Sequence, residues 1–197
     1  MEIADFNRIW SAVYGHPAWS VKHGHGSFLT LEFGQPELQI REPRVAAPGA
    51  SECVRERLSR RDVNVTGRWH LWIYCCNWSI TLNGKEAAYS DSPDDDIKSA
   101  VQRLDGQKLL SVSWGETPGA WVFTFDLGGE LKTWPYDDDP TYEQWFLFVR
   151  DSGNVLSVRA DGLCSYDSEH VPMGDETWTP INARPPRPRR RRPSSTS

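Results

Sequence analysis

The sequence predicts an α+β fold with an internal tandem duplication, and three observations lead to this prediction. Residues 5–24 align with residues 96–115 without a gap, with Asp, Gly, Ser, Val and Gly in register at a shift of 91. Later segments recur in the same order, as in WHLWI beside WFLFV and WSITLNG beside LSVRADG. Each copy opens with an apolar pattern of helical period and continues with strand-type alternation. We therefore expect each copy to be one helix followed by about five mostly antiparallel strands, with the helices covering the sheet.

The duplication divides the chain into a first repeat at residues 1–92, a second repeat at 93–183 and an Arg- and Pro-rich tail at 184–197. The first repeat carries an insertion at residues 42–66, where the second copy has only PYDDDPT. We expect this insertion to be a loop with a helical turn near residues 51–60. Because unmatched loops are where duplicated units diverge, binding specificity is expected in the insertion and in the acidic loop of the second copy.

Each copy opens with an amphipathic helix. Gly15 and Pro17 end the first helix, and Gly106 ends the second. The second helix begins with three aspartates, which the positive end of a helix dipole stabilises. The apolar stripes at helical spacing are Ile3, Phe6, Ile9, Trp10 and Val13 in the first copy, and Ile97, Ala100, Val101 and Leu104 in the second.

Five strands follow each helix, separated by glycine-containing turns that are typical of hairpins. Short connections between successive strands favour antiparallel pairing. The predicted strands are 19–23, 28–33, 37–41, 68–76 and 78–82 in the first copy, and 109–114, 121–127, 130–134, 143–150 and 154–160 in the second.

The fourth strand of each copy is apolar on both faces, which is typical of a central strand covered on both sides. A helix covers one face, and the other must meet the sister sheet, a second subunit or a partner. We expect burial within the fold, because aromatic stripes are usually core. One face carries Trp69, Leu71, Ile73 and Cys75, matching Trp145, Leu147 and Val149, and the other carries His70, Trp72, Tyr74 and Cys76, matching Phe146 and Phe148.

The net charge of −5 combines two opposite regions. The tail from Arg184 holds six arginines, and removing them takes the charge of the remaining body to −11. The tail is interpreted as a disordered, proline-spaced end, with binding to phosphate or an anionic surface as the alternative. No apolar run approaches the roughly 20 residues that a bilayer requires, so we expect a cytoplasmic protein without a membrane segment. The four cysteines are expected to be reduced and buried.

Few residues have the spacing of a chemical site. His23 and His25 could share a metal or act as acid and base, but the second copy has Trp114 and Glu116 in their place. The three aspartates at 94–96 are explained by the helix start, and those at 137–139 lack the pattern of a calcium loop. The common motifs of hydrolases, metalloproteases and nucleotide-binding proteins do not occur in the sequence. We therefore expect no catalytic residue, no metal and no cofactor.

A further pattern runs through the second copy. Leu104, Gly106, Leu109, Ser111 and Val112 form L-x-G-x-x-L-x-S-V, followed by FDLGGEL at residues 125–131 and the strand W-x-L-x-V at 145–149. The pattern resembles the immunity proteins of polymorphic-toxin systems, which are small bacterial α+β proteins. That resemblance implies a non-enzymatic protein that binds and blocks a cognate toxin. The insertion at 42–66 and the arginine tail depart from it.

Three classes of function follow from these observations. The first is a protein-binding module of immunity or inhibitor type, whose acidic body suits a partner such as a nuclease toxin. The second is a nucleic-acid-associated protein, and the third is an enzyme with an unrecognised pocket between the repeats. The oligomeric state stays open. The predicted partner-binding residues are Trp134, Tyr136, Asp137, Asp138, Asp139, Arg55, Arg57, Arg60 and Arg61, and the nucleic-acid alternative uses Arg187, Arg189, Arg190, Arg191 and Arg192.

Overall fold

The structure is a computed structural model that describes residues 1–136, 139–172 and 174–181. Within these residues it is α+β, with three helices and fourteen strands, and each strand pairing is antiparallel. The helices are α1 (Ile3–Ser11), α2 (Glu52–Leu58) and α3 (Asp94–Leu104). The strands are β1 (Trp19–His23), β2 (Leu29–Phe33), β3 (Glu37–Arg41), β4 (Asp62–Thr66), β5 (Trp69–Ile73), β6 (Cys76–Leu82), β7 (Lys85–Tyr89), β8 (Leu109–Trp114), β9 (Trp121–Phe125), β10 (Gly129–Pro135), β11 (Glu143–Val149), β12 (Asn154–Arg159), β13 (Leu163–Ser168) and β14 (Thr179–Pro180).

The helices follow the predicted apolar stripes. Phe6 and Trp10 are the buried residues of α1, and α3 carries three aspartates in its first turn, as the helix dipole favours. The short helix α2 lies in the insertion, and its start is capped by Ser51, whose side chain accepts a hydrogen bond from Val54 N at 3.4 Å. None of the helices in the described residues has the length and apolar character that crossing a membrane requires.

The strands form two large sheets and one separate hairpin. The seven-stranded sheet has the order β1-β2-β5-β11-β12-β13-β14, and the five-stranded sheet has the order β7-β6-β10-β9-β8. The hairpin β3-β4 stands apart, with Leu38, Ile40, Val63 and Val65 exposed. Both large sheets contribute buried side chains to a single core cluster.

The structure corrects several of the predicted strands. Each half has seven strands rather than about five, because β4, β7, β13 and β14 were not predicted. The sequence of β7, KEAAY, is poor in residues that favour strands, so its pattern gave no signal. The strand predicted at residues 68–76 ends at Ile73, and Cys76 starts β6 in the other sheet. The prediction that Cys76 shares a face with Trp72 is therefore wrong. Cys76 is fully buried.

Each large sheet combines strands of both halves, and each of the helices α1 and α3 packs against a strand of the other half. The seven-stranded sheet combines β1, β2 and β5 with β11 to β14, and the five-stranded sheet combines β6 and β7 with β8 to β10. In the same way, α3 packs against β1 from the first half, and α1 packs its aromatic rings against β9 from the second. The boundaries of the two repeats stay a prediction, but neither large sheet is built from the strands of one half alone.

The segments after α1 and α3 hydrogen-bond to each other reciprocally. The backbone turns at Gly15 and Gly106, which have φ of 82° and 88°, a conformation that glycine adopts without strain. The four bonds fall into two pairs related by the shift of 91: Gly15 N to Leu109 O at 2.8 Å with Gly106 N to Ala18 O at 2.7 Å, and Ala18 N to Gln107 O at 2.8 Å with Leu109 N to His16 O at 3.1 Å.

A third pair of bonds joins backbone to side chains with the same shift. Val21 N donates to Asp105 Oδ2 at 3.0 Å, and Val112 N donates to the Tyr14 hydroxyl at 3.1 Å. Tyr14 and Asp105 are equivalent positions of the sequence alignment, as are Val21 and Val112. This pattern is what two related halves in a reciprocal arrangement would produce, although the duplication itself stays a prediction.

An aromatic junction joins α1 to both large sheets. It consists of Phe6, Trp10, Trp121, Phe123 and Trp145, all of them buried. Trp10 lies 5.7 Å from Trp145 of β11 and 5.8 Å from Phe123 of β9, measured between ring centroids. Edge-to-face pairs at such distances add to the free energy gained by burial. The junction is therefore the place where the helix and the two sheets meet.

The four cysteines are free in the structure. Cys76 and Cys164 are buried, and burial raises the pKa of the Cys76 thiol far above its usual range. Cys53 on α2 is exposed and Cys75 is half-buried, so the expectation of four buried thiols is wrong for these two residues.

We predict that Trp145→Ala lowers the free energy of unfolding by about 3–5 kcal/mol, because it removes a large, fully buried ring from the junction. Urea denaturation followed by circular dichroism measures this loss. The control is Leu127→Ala, whose side chain is 67% exposed and should change stability by less than about 0.5 kcal/mol. A loss at Trp145 no larger than that of the control would contradict the assignment.

Candidate binding face

The seven-stranded sheet has one buried face and one aromatic face that is partly exposed. Side chains alternate along β5 and β11, so that Leu71 and Leu147 point to the core while Trp72 and Phe146 point the other way. We name the second surface the outer aromatic face. It consists of Phe28, His70, Trp72, Tyr74, Phe146 and Phe148.

Strand pairing brings these rings together. Phe146 lies opposite Trp72, and Phe148 lies opposite His70, in the antiparallel register of β11 and β5. Side chains at directly opposed positions are in contact distance, and aromatic pairs of this kind stabilise a sheet. The outer aromatic face is thus built on two central strands, which hold it in place.

The rings of the outer aromatic face form a continuous series of contacts. All of the ring-to-ring contacts that they make within the described residues are to each other. The centroid distances are 4.9 Å for Phe28 and Tyr74, 5.8 Å for Phe28 and Trp72, 4.8 Å for Trp72 and Tyr74, 5.6 Å for Trp72 and Phe146, 5.6 Å for Tyr74 and Phe146, 6.3 Å for Phe146 and Phe148, and 5.5 Å for His70 and Phe148.

The expectation that both faces of the fourth strands are buried within the fold holds for one face only. Trp69, Leu71 and Ile73 are buried as expected. The outer aromatic face remains partly exposed, so the expectation is wrong there. Contiguous exposed apolar surfaces are frequent at interaction sites, which makes the outer aromatic face the candidate site.

A buried polar cluster supports one end of the outer aromatic face. Glu32 is only 8% exposed, and its carboxylate accepts a hydrogen bond from Gly67 N at 2.8 Å. Its other oxygen lies 2.7 Å from Nδ1 of His70, whose ring in turn packs on Phe148. A Cβ atom at position 67 would lie 2.4 Å from the carbonyl oxygen of Phe33, which is why glycine stands there. The Glu32 carboxylate therefore fixes the orientation of the His70 ring.

A groove of about 320 Å³ runs along one side of the outer aromatic face. Its floor is Trp72, Phe146, Phe148 and Val155. Its rim carries three carboxylates, from Asp167, Glu169 and Glu176, and the described residues that line it include no lysine or arginine. The groove therefore combines aromatic and apolar side chains with three acidic ones.

The rim is held in place by its own backbone contacts. Asp167 Oδ2 accepts a hydrogen bond from Thr177 N at 2.9 Å, and Glu176 Oε2 accepts one from Gly174 N at 2.7 Å. Both carboxylates thus shape the segment after β13 and face the groove at the same time. Glu169 is exposed.

The outer aromatic face already contacts one cation of the chain itself. The guanidinium carbon of Arg150 lies 5.6 Å from the centroid of the Phe148 ring, which is within the range of a cation–π interaction. A guanidinium can therefore pack against this surface.

The predicted acidic-loop residues occupy different places. Tyr136 is 64% exposed and lines a depression with His23 and Asp94, whereas Trp134 lines another depression with Trp114. Asp139 accepts hydrogen bonds from the backbone and hydroxyl of Thr141, which lower the pKa of the Asp139 carboxyl. Asp137 and Asp138 lie outside the described residues.

The predicted arginines of the insertion lie on and after α2. Arg57, Arg60 and Arg61 line a depression of their own, together with the acidic Glu56 and Asp62. Arg60 pairs with Glu56, and Arg61 pairs with Glu42 at 2.9 Å. Arg55 is in the last turn of α2, which has no buried residue. The insertion is consequently less basic than its arginine content indicates.

The five arginines of the nucleic-acid alternative, Arg187, Arg189, Arg190, Arg191 and Arg192, lie outside the described residues. Among the predicted partner-binding residues that are described, the structure brings Arg57, Arg60 and Arg61 together, and places Trp134 and Tyr136 elsewhere. Their role in binding stays a prediction.

The histidine pair and the start of α3 line a common depression, with His23, His25, Asp91 and Asp94 among its residues. His23 Nε2 lies 2.6 Å from the carbonyl oxygen of Gly26, so this ring nitrogen is engaged within its own turn. Within the described part of the chain, no group of three or more His, Cys, Asp or Glu side chains could hold a metal ion. The depression has no arrangement from which a reaction can be derived.

The sequence did contain the signal for the outer aromatic face. Its alternation placed His70, Trp72 and Tyr74 on one side of a strand, matching Phe146 and Phe148, but period alone cannot tell a covered face from an open one. The groove rim could not be predicted, because it depends on β13 and the segment that follows it.

Comparison with protein-family models, with curated proteins and with solved structures finds no match to this chain. The resemblance to immunity proteins therefore depends on the sequence pattern alone.

We predict that Gly67→Ala destabilises the protein by about 1–3 kcal/mol, because the added Cβ atom would clash with the backbone of Phe33 and force the strand apart. Gly24→Ala is the matched control, since a Cβ atom there meets its nearest neighbour at 3.4 Å and the loss should stay below about 1 kcal/mol. Denaturation midpoints of the two variants provide the comparison, and equal losses would contradict the close approach at Gly67.

Proposed function

We propose that this chain is a non-enzymatic protein-binding module of immunity or inhibitor type, which docks its partner on the outer aromatic face. The observation that carries the proposal is the row of contacting, partly exposed rings on one side of the seven-stranded sheet. Aromatic side chains contribute a disproportionate share of the free energy of protein–protein binding. They also lose little conformational entropy when they are already packed against each other.

The position of the face in the sheet supports the same function. Trp72 and Phe146 lie on adjacent central strands, whose hydrogen bonds and buried inner side chains keep them in place. Proteins that bind with a preformed surface avoid the cost of ordering it during association.

Charge indicates the kind of partner. The body of the chain is acidic, and the groove beside the rings has three carboxylates on its rim. A partner with a basic surface would be attracted over a distance and would meet complementary charge at contact. Toxins that act on nucleic acids need such basic surfaces, so a cognate nuclease toxin is the partner that we propose.

The nucleic-acid alternative has one observation in its favour. Bases of single-stranded nucleic acids stack on aromatic side chains of sheet surfaces, and the outer aromatic face offers such rings. The three carboxylates at the groove would repel phosphates, however, and Arg60 and Arg61 of the insertion are paired with glutamates. The charge distribution therefore favours a protein partner.

We expect the double variant Trp72→Ser, Phe148→Ser to have a lower affinity for the partner than the wild type. The wild-type chain and the variant are used as baits in the native host, captured proteins are identified by mass spectrometry, and the affinity of the purified partner is measured by calorimetry. Removal of two central aromatic contacts should weaken binding by at least about tenfold, which corresponds to 1.4 kcal/mol.

The matched control is the variant Tyr89→Ser, Leu127→Ser, which removes two exposed apolar side chains far from the seven-stranded sheet's outer face. It should bind the partner as the wild type does, and circular dichroism must show that both variants are folded. Equal affinities of the two variants would contradict the proposal, and binding of RNA or DNA in place of a protein would favour the alternative.

A further inference from the structure

The groove beside the outer aromatic face is lined in part by β13, which pairs with the last strand of the described chain. Asp167 of β13 belongs to its rim, and β14 pairs with β13 at the edge of the same sheet. The last described residue is Ile181, directly after β14. Because β14 is antiparallel to β13, with Pro180 opposite Leu163, the chain from 182 onward starts at the end of β13 that lies away from Asp167, and it has to run back along the sheet to reach the groove.

The sequence of this remaining segment is chemically complementary to the groove. Residues 182–197, which we name the arginine tail, hold six arginines and four prolines and no acidic residue. The groove offers three carboxylates and an aromatic floor, with no lysine or arginine among its described lining residues and with the guanidinium of Arg150 beside the Phe148 ring. Guanidinium groups form strong hydrogen-bonded pairs with carboxylates and pack on aromatic rings.

We infer that the arginine tail docks in this groove of its own chain, with its arginines at Asp167, Glu169 and Glu176 and its prolines on the rings of Trp72 and Phe148. Grooves lined by aromatic side chains are the usual receptors for proline-rich segments, because such segments favour an extended conformation before binding. The contact of Arg150 with Phe148 is an example of a guanidinium on this surface within the same chain.

The length of the arginine tail allows docking in cis. At about 3.1 Å per residue in an extended proline-rich conformation, the tail can span roughly 50 Å, more than twice the length of the six-residue strand β13 along which it has to run. A tethered ligand has an effective concentration of about millimolar near its site. Even a weak intrinsic affinity therefore suffices to fill the groove.

Docking has a consequence for the binding face, which rests on the proposed function. Trp72, Phe146 and Phe148 line the groove and belong to the outer aromatic face. A docked tail would cover them until a partner displaces it, so that the arginine tail acts as an internal competitor. Docking itself does not depend on whether a partner exists.

The experiment compares full-length chains by nuclear magnetic resonance. In one variant, Arg187, Arg189, Arg190, Arg191 and Arg192 are replaced by serine, and in a matched control the exposed cations Lys85, Lys98 and Arg103 are replaced by serine. We expect the tail variant, but not the control, to shift the signals of the Trp72 indole and of the amides around Val155 and Glu169. Glu169→Gln together with Glu176→Gln should produce the same shifts in the wild-type chain.

A synthetic peptide of residues 182–197 then tests the contact directly. It should restore the wild-type signals of the tail variant and bind this variant at least tenfold more tightly than the wild type, whose own tail competes. The binding should weaken strongly near 1 M salt, where charges are screened within about 3 Å.

Several outcomes would overturn the inference. One is that the tail variant leaves the groove signals unchanged, and another is that the peptide binds the two chains equally. Shifts that depend on protein concentration would show docking between two copies and would contradict docking in cis. Because none of these measurements uses the partner, their failure is separate from a failure of the proposed function.

Discussion

The structure depends on the aromatic junction between α1, β9 and β11. Phe6 and Trp10 of the first half pack against Trp121, Phe123 and Trp145 of the second, and all five are removed from water. Large aromatic side chains bury more apolar area than any other residues, so their contacts dominate the energetics of the core. Neither half can build this junction alone, so the two halves share one core.

The junction also determines which surfaces remain free. It uses the inner face of the seven-stranded sheet, where Trp145 and Leu147 are fully buried. In the described residues both α1 and α3 pack against this shared core, so the rings on the opposite side of β5 and β11 are left partly exposed. The same pair of strands thus supplies the core with one set of aromatic side chains and the outer aromatic face with the other. The function that we propose follows from this division of the two faces.

Much of the fold could be predicted because its signals are local. The stripe of α3, its three aspartates and the ends of β1, β3 and β8 agree with the sequence patterns, since each depends on residues near each other in the chain. The exchange of strands between the halves could not be predicted. Pairing of β5 with β11 or of β6 with β10 depends on contacts between residues far apart in sequence, for which a single chain offers no local signal.

The candidate site shows the same limit. The alternation in the predicted fourth strands correctly places the aromatic residues on one face. Whether Trp72 and Phe148 are covered depends on what packs above them. The sequence predicts binding at the two unmatched segments, the acidic loop and the insertion. In the insertion, Arg60 and Arg61 are paired with glutamates. The net charge of a segment is obtained by counting its charged residues. The charge that its surface presents also depends on which of these residues form ion pairs with each other.

The central claim is that the outer aromatic face contacts a protein partner. Oxidative footprinting by hydroxyl radicals, read by mass spectrometry on the full chain with and without the captured partner, tests it most directly. The account predicts that oxidation of Tyr74 and Phe146 falls several-fold in the complex, while the buried Trp145 stays unreactive and the exposed Tyr89 keeps its rate. Unchanged oxidation of Tyr74 and Phe146 in a complex that is fully formed would contradict it.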